Sequence, residues 1–464
     1  MAEPAAAAQP SPLPRVSFRE AFLYWLRLGF INFGGPTGQI AIMHQELVDK
    51  KRWISNERFA HALNYCMLLP GPEAQQLAVY IGWLLHRTIG GIVAGTLFVL
   101  PGFLLMLILA WLAAEHGDVS AVGALFYGIR AVVIAIVAAA TIRLASRSLR
   151  NGALAATAAA AFVAIFFVGA PFPLIILGAG AIGFFGAAVS PRTFEIRSAH
   201  GGGAASDSAP PLGAADAAAT ASEAALPGLG RSLRVLAVGL AVWWGPLLAI
   251  RAWRGPDDVL WHEALFFSKA ALVTFGGAYA VLSYITQAAV TGFGWLDHAQ
   301  MVTGLGLAES TPGPLILVTE YVGFLGAHRH HGDLSPVAAG ILGALVTTWA
   351  TFAPCFLWIF LGAPFVEKLR GERRLAGALA AISAAVVGVI GNLAVWFGIQ
   401  TLFATTGESQ LLWARLPVPD VGSLDWFSLA LAAVAFTGMR RWKWGIVPVV
   451  LGGAAAGMAW RAIG

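Results

Sequence analysis

Apolar residues run in long blocks along this chain, and the polar residues that interrupt them fall at a few recurring places. Ile89–Ala114 holds no charge, and Val122–Ile142 holds one, Arg130. Ala153–Val189 is uncharged and long enough for two passes, with a break at Pro171 and Pro173. Leu233–Ile250, Pro336–Phe365, Leu375–Thr401 and Trp426–Trp460 follow, the last interrupted by Arg440, Arg441 and Lys443. Apolar runs of about 18 residues or more predict membrane-spanning helices. The pattern therefore predicts an all-α polytopic membrane protein.

The interruptions repeat. Phe33-Gly34-Gly35 recurs as Phe275-Gly276-Gly277, Trp53 as Trp295, and Pro70-Gly71-Pro72 as Pro312-Gly313-Pro314, all at a shift of 242. Arg27 falls on Lys269 in the same register. The register then slips, to 241 at Tyr80/Tyr321 and Gly82/Gly323, and to 253 at Pro101/Pro354, Phe103/Phe356 and Leu104/Leu357. The extra residues are expected in the loop around His328–Leu334. The chain thus divides into a disordered tail (1–17), an N-terminal repeat (18–190), a flexible Ala/Gly/Ser/Pro linker (191–232), and an extra span with a C-terminal repeat (233–464). An odd extra span inverts a repeat in the membrane.

Loop charge agrees with inversion. Lys50, Lys51, Arg52 and Arg58 surround Trp53, whereas the matching stretch around Trp295 has no Lys or Arg. Basic loops favour the cytoplasmic side. If Phe18–Val48 and Ala60–Trp83 each enter and turn back, the basic clusters fall mostly on one side. Two inverted-topology repeats with broken or re-entrant helices at FGG and PGP are the expectation, with the N terminus cytoplasmic and the C terminus periplasmic. Ordinary crossings are the alternative.

Glycine and proline inside an apolar run break a helix. Broken backbone at membrane depth is tolerated only within protein or beside a water-filled cavity. Each restarting helix aims free N–H groups and a positive dipole end at that place, which suits an anion. Candidate substrate-binding residues are therefore Gly34, Gly35, Pro36 and Gln39; Pro70, Gly71, Pro72, Gln75 and Gln76; Gly276 and Gly277; and Ser310, Thr311, Pro312, Gly313 and Pro314. The bland alternative is close helix packing and simple kinks. Arg27 and Lys269 join them as cations deep in apolar runs, where pseudo-twofold symmetry would bring both to one centre; snorkelling to the interface is the alternative. Glu73, Glu309, Glu320 and His44 are the candidates for proton coupling, against structural roles as a first-turn acid, a Lys269 partner or a hydrogen-bonded histidine.

Composition narrows the class. Hydrophobic residues make up 58% and charged residues 11%, against about 25% charged in soluble domains. The net charge of +5 reads as membrane orientation, so no nucleic-acid partner is expected. Cys66 and Cys355 stand alone in apolar runs, so neither a disulfide framework nor a zinc site is expected. His328, His330, His331 and Asp333 read as a solvated loop. Hydrolase, metalloprotease and phosphate-loop motifs are absent, so neither an enzyme nor a cofactor is expected.

The segments Phe33-Gly34-Gly35-Pro36-Thr37-Gly38-Gln39-Ile40-Ala41 with Met43-His44, Leu69–Ala78, and Leu100-Pro101-Gly102-Phe103-Leu104-Leu105 resemble signatures of the chromate ion transporter family. The second FGG and PGP resemble its long-chain, two-domain form, and the likeness covers most of residues 18–400. Ala278 departs from it, standing where a third glycine is expected. The resemblance implies chromate efflux across the bacterial inner membrane and chromate resistance, and the carboxyl candidates make proton antiport the coupling to be tested. Sulfate is a structural mimic, and a sulfate or other oxyanion carrier or channel is the alternative. The expected partners are the oxyanion and the lipid bilayer, with a homodimer left open.

Overall fold

The computed structural model describes residues 16–33, 35–117, 119–190, 193, 228–275, 278–363, 373–411 and 414–463. The tail (1–15), nearly all of the expected linker, Gly34, Gly276 and Gly277 lie outside the described residues. Among the described residues, seven helices are long and apolar enough to cross a membrane.

In the first half, α1 (Phe18–Ile31) is followed by α2 (Gly35–His44), which continues through a π turn at Gln45–Lys50. Then come α3 (Asn56–Leu68), α4 (Glu73–His116), α5 (Ser120–Ser148), α6 (Gly152–Phe166) and α7 (Phe172–Val189). The second half opens with α8 (Leu229–Arg254) and α9 (Val259–Val273). Next are α10 (Ala278–Thr286) with a π turn at Gln287–Gly292, α11 (His298–Ser310), and a 3-10 turn at Leu315–Leu317 leading into α12 (Val318–Arg329). Finally α13 (Pro336–Gly362), α14 (Arg373–Leu402), β1 (Thr406–Leu411), β2 (Ala414–Pro419), α15 (Trp426–Arg441) and α16 (Ile446–Ile463) complete the chain.

The repeat register survives in the backbone. Both π turns, and both ends of α3 and α11, are 242 residues apart. The N-caps of those helices, Ser55 and Asp297, keep the same spacing and each accepts from the backbone N–H three residues on. Where the register slips, the two halves turn differently. α4 folds back on itself at His86 and Arg87, whose backbones are non-helical. Gly82 then faces Gly90 so closely that a Cβ on Gly82 would lie 2.5 Å from the Gly90 carbonyl oxygen. Its counterpart is the α12–α13 hairpin, where Gly323 meets Gly343 across a loop at 330–335. The slip from 241 to 253 adds 12 residues, which lengthen both arms of that hairpin as well as forming its loop.

Short helices pair at each break. α1 has 14 residues and α3 has 13, which at ~1.5 Å per residue falls short of a ~30 Å hydrocarbon core. The far end of α1 and the end of the first π turn meet through Glu20–Lys51 at 3.2 Å. His86 returns there too, reaching the Val16 carbonyl at 3.0 Å. In the second half Trp295 packs against Phe266 and Phe267 with centroids 5.8 and 6.0 Å apart. Arg329 bonds Gln300 at 3.0 Å. His328 bonds Glu115 at 2.6 Å, near the end of α4. The feet of the first half therefore gather near Arg87, and those of the second near Glu115, roughly 40 Å along α4.

One element was not expected. β1 and β2 form an antiparallel hairpin, Thr406 opposite Pro419 and Leu411 opposite Ala414. Gly407, Pro417 and Pro419 break any helix there.

Candidate functional site

The breaks cross between halves. The Gly71 N–H donates to the Thr274 carbonyl at 2.8 Å, and the Gly313 N–H donates to the Asn32 carbonyl at 3.4 Å. Donors and acceptors are each 242 residues apart, so the two contacts are one contact repeated. Their neighbours repeat as well. A Cβ on Gly71 would lie 2.7 Å from the Cys355 sulfur, and Gly102 packs directly on the Pro312 carbonyl and Gly313. Gly102 and Cys355 correspond at the shift of 253. Both central glycines need left-handed backbone, φ +124° at Gly71 and +110° at Gly313, which a Cβ disfavours.

Amide side chains fill the space between. Gln39 is fully buried on α2 and donates to the carbonyls of Asn32 (3.0 Å) and Gly313 (2.5 Å). Asn32 donates to the Phe98 carbonyl at 3.2 Å. Gln76 donates to the Pro70 carbonyl at 2.8 Å. Asn32 Oδ1, Gln39 Oε1, Gln76 Oε1 and both amide atoms of Gln75 are buried without a partner. Buried polar atoms with no protein partner are costly unless something polar meets them, and they mark a place built for it. Two helix starts open here, since neither Pro72 nor Pro314 offers a capping side chain.

The remaining candidates divide. Gly35 lies at the start of α2 in left-handed backbone, with Pro36 next. Ser310 and Thr311 turn their hydroxyls to the Leu307 and Ala308 carbonyls of their own helix. Glu309 is buried and accepts from the Tyr279 hydroxyl through Oε1, while Oε2 is unpartnered. Glu320 is fully buried with neither oxygen partnered, and Glu73 is half-buried at the first position of α4. His44 stands at the foot of the first half rather than at a break, bonded to Asn56 at 2.8 Å and near Asp49 at 3.5 Å.

Arg27 and Lys269 do not join the buried amides. Both side chains are exposed. The buried residues of α1 are Ala21, Tyr24, Trp25, Leu28 and Gly29, and Arg27 falls between them on the outer face. Lys269 lines an open pocket of about 240 Å³ with His262, Phe266 and Phe293. Among the described residues, Arg130 is a cation within an apolar span that does enter the packed interior. It is half-buried on α5, and its Nε is buried without a partner. Asp297, Tyr321, Tyr127 and Arg461 are the ionisable groups around it. Its lone position in Val122–Ile142 was the available signal. The contacts to the Asn32 and Thr274 backbone carbonyls carried no signal, whereas the Asn32 amide, next to the first FGG, was a polar residue that the sequence reading passed over. The loop histidines go to separate partners: His328 to Glu115, and His330 to the Gly326 carbonyl at 3.1 Å.

Comparison with known proteins gives this site its context. The chromate transporter family matches residues 19–184 and 261–458. The chain is 31% identical over 450 residues to a chromate transport protein of Pseudomonas aeruginosa, covering 96% of this chain and 92% of the relative. It is 29% identical over 386 residues to a chromate transport protein of Cupriavidus metallidurans, covering 83% and 84%. A probable chromate transport protein of Synechococcus elongatus is 27% identical over 397 residues, covering 84% and 86%. No solved structure matches the chain. Matched by the family in both halves, around the crossed breaks, this chain belongs to the chromate transporter family.

Proposed function

We propose that the protein exports chromate from the cytoplasm in exchange for protons and thereby confers chromate resistance. One observation carries the reading. Helix breaks from both halves meet at a buried cluster of amides whose hydrogen-bonding capacity is unfilled. A tetrahedral dianion entering between them meets amide groups and the uncapped starts of two helices. Arg130 adds a fixed positive charge within the packed interior. Glu309, held by Tyr279 beside the second break, is the carboxyl best placed to exchange a proton as the anion passes.

The halves then form inverted-topology repeats of re-entrant hairpins in the bacterial inner membrane. The feet near Arg87 carry Arg19, Lys50, Lys51 and Arg52, so they face the cytoplasm. Those near Glu115 face the periplasm, with the N terminus inside and the C terminus outside.

Chromate flux in everted vesicles tests the reading. Accumulation that collapses when the proton gradient is dissipated supports it. Gradient-independent accumulation removes the antiport step. Movement of sulfate with none of chromate identifies a sulfate carrier instead.

A further inference from the structure

The two halves differ in one chemical respect that their shared register makes plain. The buried amides Asn32, Gln39, Gln75 and Gln76 belong to the first half, and the fully or nearly fully buried carboxyls belong to the second: Glu263, Glu309 and Glu320. The corresponding first-half positions are Ala21 and Met67 at the shift of 242 and Val79 at the shift of 241. Glu263 has no place in the site described so far.

Glu263 lies on the second turn of α9, is fully buried, and neither oxygen has a hydrogen-bond partner. Its carboxyl occupies the space left by Gly326 on α12. A Cβ there would lie 2.6 Å from Glu263 Oε1 and 2.9 Å from the Trp295 ring. Among the described residues no cation pairs with it. Arg254, from α8, is engaged by Asp258 at 2.9 Å and Asp333 at 2.5 Å. Arg329 is turned to Gln300 and Gly294. His262 stacks on Phe293, Lys269 points outward, α10 brings Tyr279 and Tyr284, and α13 brings only Cys355. The charged group that acts on it is Asp258, itself paired with Arg254, and it repels. A carboxyl so placed is tolerated neutral and costly when ionised, which is the chemistry of a proton carrier rather than of a structural ion pair.

Its position suits that role. Exposed His330 bonds the Gly326 carbonyl, directly above the Glu263 slot. Glu320 lies six residues from Gly326 on the same helix, about 9 Å deeper and roughly a third of a turn round. Beyond it come the second break and the Glu309–Tyr279 pair.

We infer that Glu263 is the outer proton-exchange residue, taking a proton at a carboxyl oxygen from the periplasmic side and releasing it toward Glu320. The second half then carries the proton while the first supplies the amides for the anion. Only the proton moves, and no other bond forms or breaks. This inference rests on the proton-antiport reading.

The test measures two fluxes in vesicles of wild type, Glu263→Gln and Glu263→Asp: chromate–chromate counterflow, which needs no proton, and gradient-driven chromate accumulation with proton efflux read by a pH dye. Glu263→Gln is expected to keep counterflow within about twofold, yet lose the gradient-driven part, roughly 50-fold per proton at about 100 mV. Glu263→Asp should recover part of it. Coupled accumulation by Glu263→Gln at the wild-type level overturns the assignment. So does loss of counterflow in both variants, which makes Glu263 structural. Wild-type accumulation without proton movement removes the antiport reading itself, a result seen before any variant is examined.

Discussion

The Gly71 N–H donates to the Thr274 carbonyl at 2.8 Å, joining the first proline break of one half to the glycine break of the other. Gly313 and Asn32 repeat the contact at 3.4 Å. The two halves thus hold each other by their broken ends. A bond between breaks resists separation only while both glycines keep their left-handed backbone.

Gly71→Ala and Gly313→Ala test this. Each adds backbone strain of about 1–3 kcal/mol, and at Gly71 the new methyl also meets the Cys355 sulfur and the Gln76 amide. We expect lower thermal stability in detergent for both variants, greater at Gly71, where the neighbouring groups lie closer. Gly71→Ala with Cys355→Gly should recover the part owed to the sulfur and leave the Gln76 contact and the strain.

Gln39→Leu removes two hydrogen bonds and leaves the Asn32 and Gly313 carbonyls less satisfied. Buried acceptors deprived of a partner cost about 1–3 kcal/mol each. Chromate flux should fall sharply. Gln39→Glu should do worse than Leu, because it places a carboxyl against two carbonyls and an anion route. Initial rates over a chromate concentration series would show both effects.

The cations should separate by position. Arg130→Gln removes the charge within the packed interior and should raise the apparent KM for chromate about tenfold, the size of one charge-assisted contact. Arg27→Gln and Lys269→Gln alter exposed side chains and should leave KM within about twofold, since surface changes are typically within ~0.5 kcal/mol. Equal losses at all three would return Arg27 and Lys269 to a shared centre.

The loop at 330–335 should respond to acid. Hydrogen bonding from Arg254 holds the Asp333 carboxyl below the ordinary carboxylate range. A lowered folded-state value means that the stabilisation is present above the ordinary carboxylate pKa and is lost as pH falls through the lowered one. Amide exchange across 328–336 should therefore stay slow from neutral pH into mild acid and quicken only below the ordinary range. In Asp333→Asn the loop should exchange fast throughout.

Much of this protein is legible in its sequence. The spans follow from apolar length, and the two halves from the shift of 242, which fixes even the matched π turns and the ends of α3 and α11. The breaks follow from glycine and proline, because backbone freedom and a missing N–H act locally whatever surrounds them. Tertiary structure decided the rest. Which break meets which depends on backbone carbonyls at Asn32 and Thr274, and a carbonyl leaves no mark on residue identity. Which cation turns inward depends on helix rotation. α1 exposes Phe22, Leu23, Phe30 and Ile31 while burying Tyr24, Trp25 and Leu28, so its apolar residues lie on every side. In lipid both faces of a helix favour apolar residues, and the polar stripe that would reveal its rotation in water is missing. Arg27 therefore looked central until the neighbouring helices were in place.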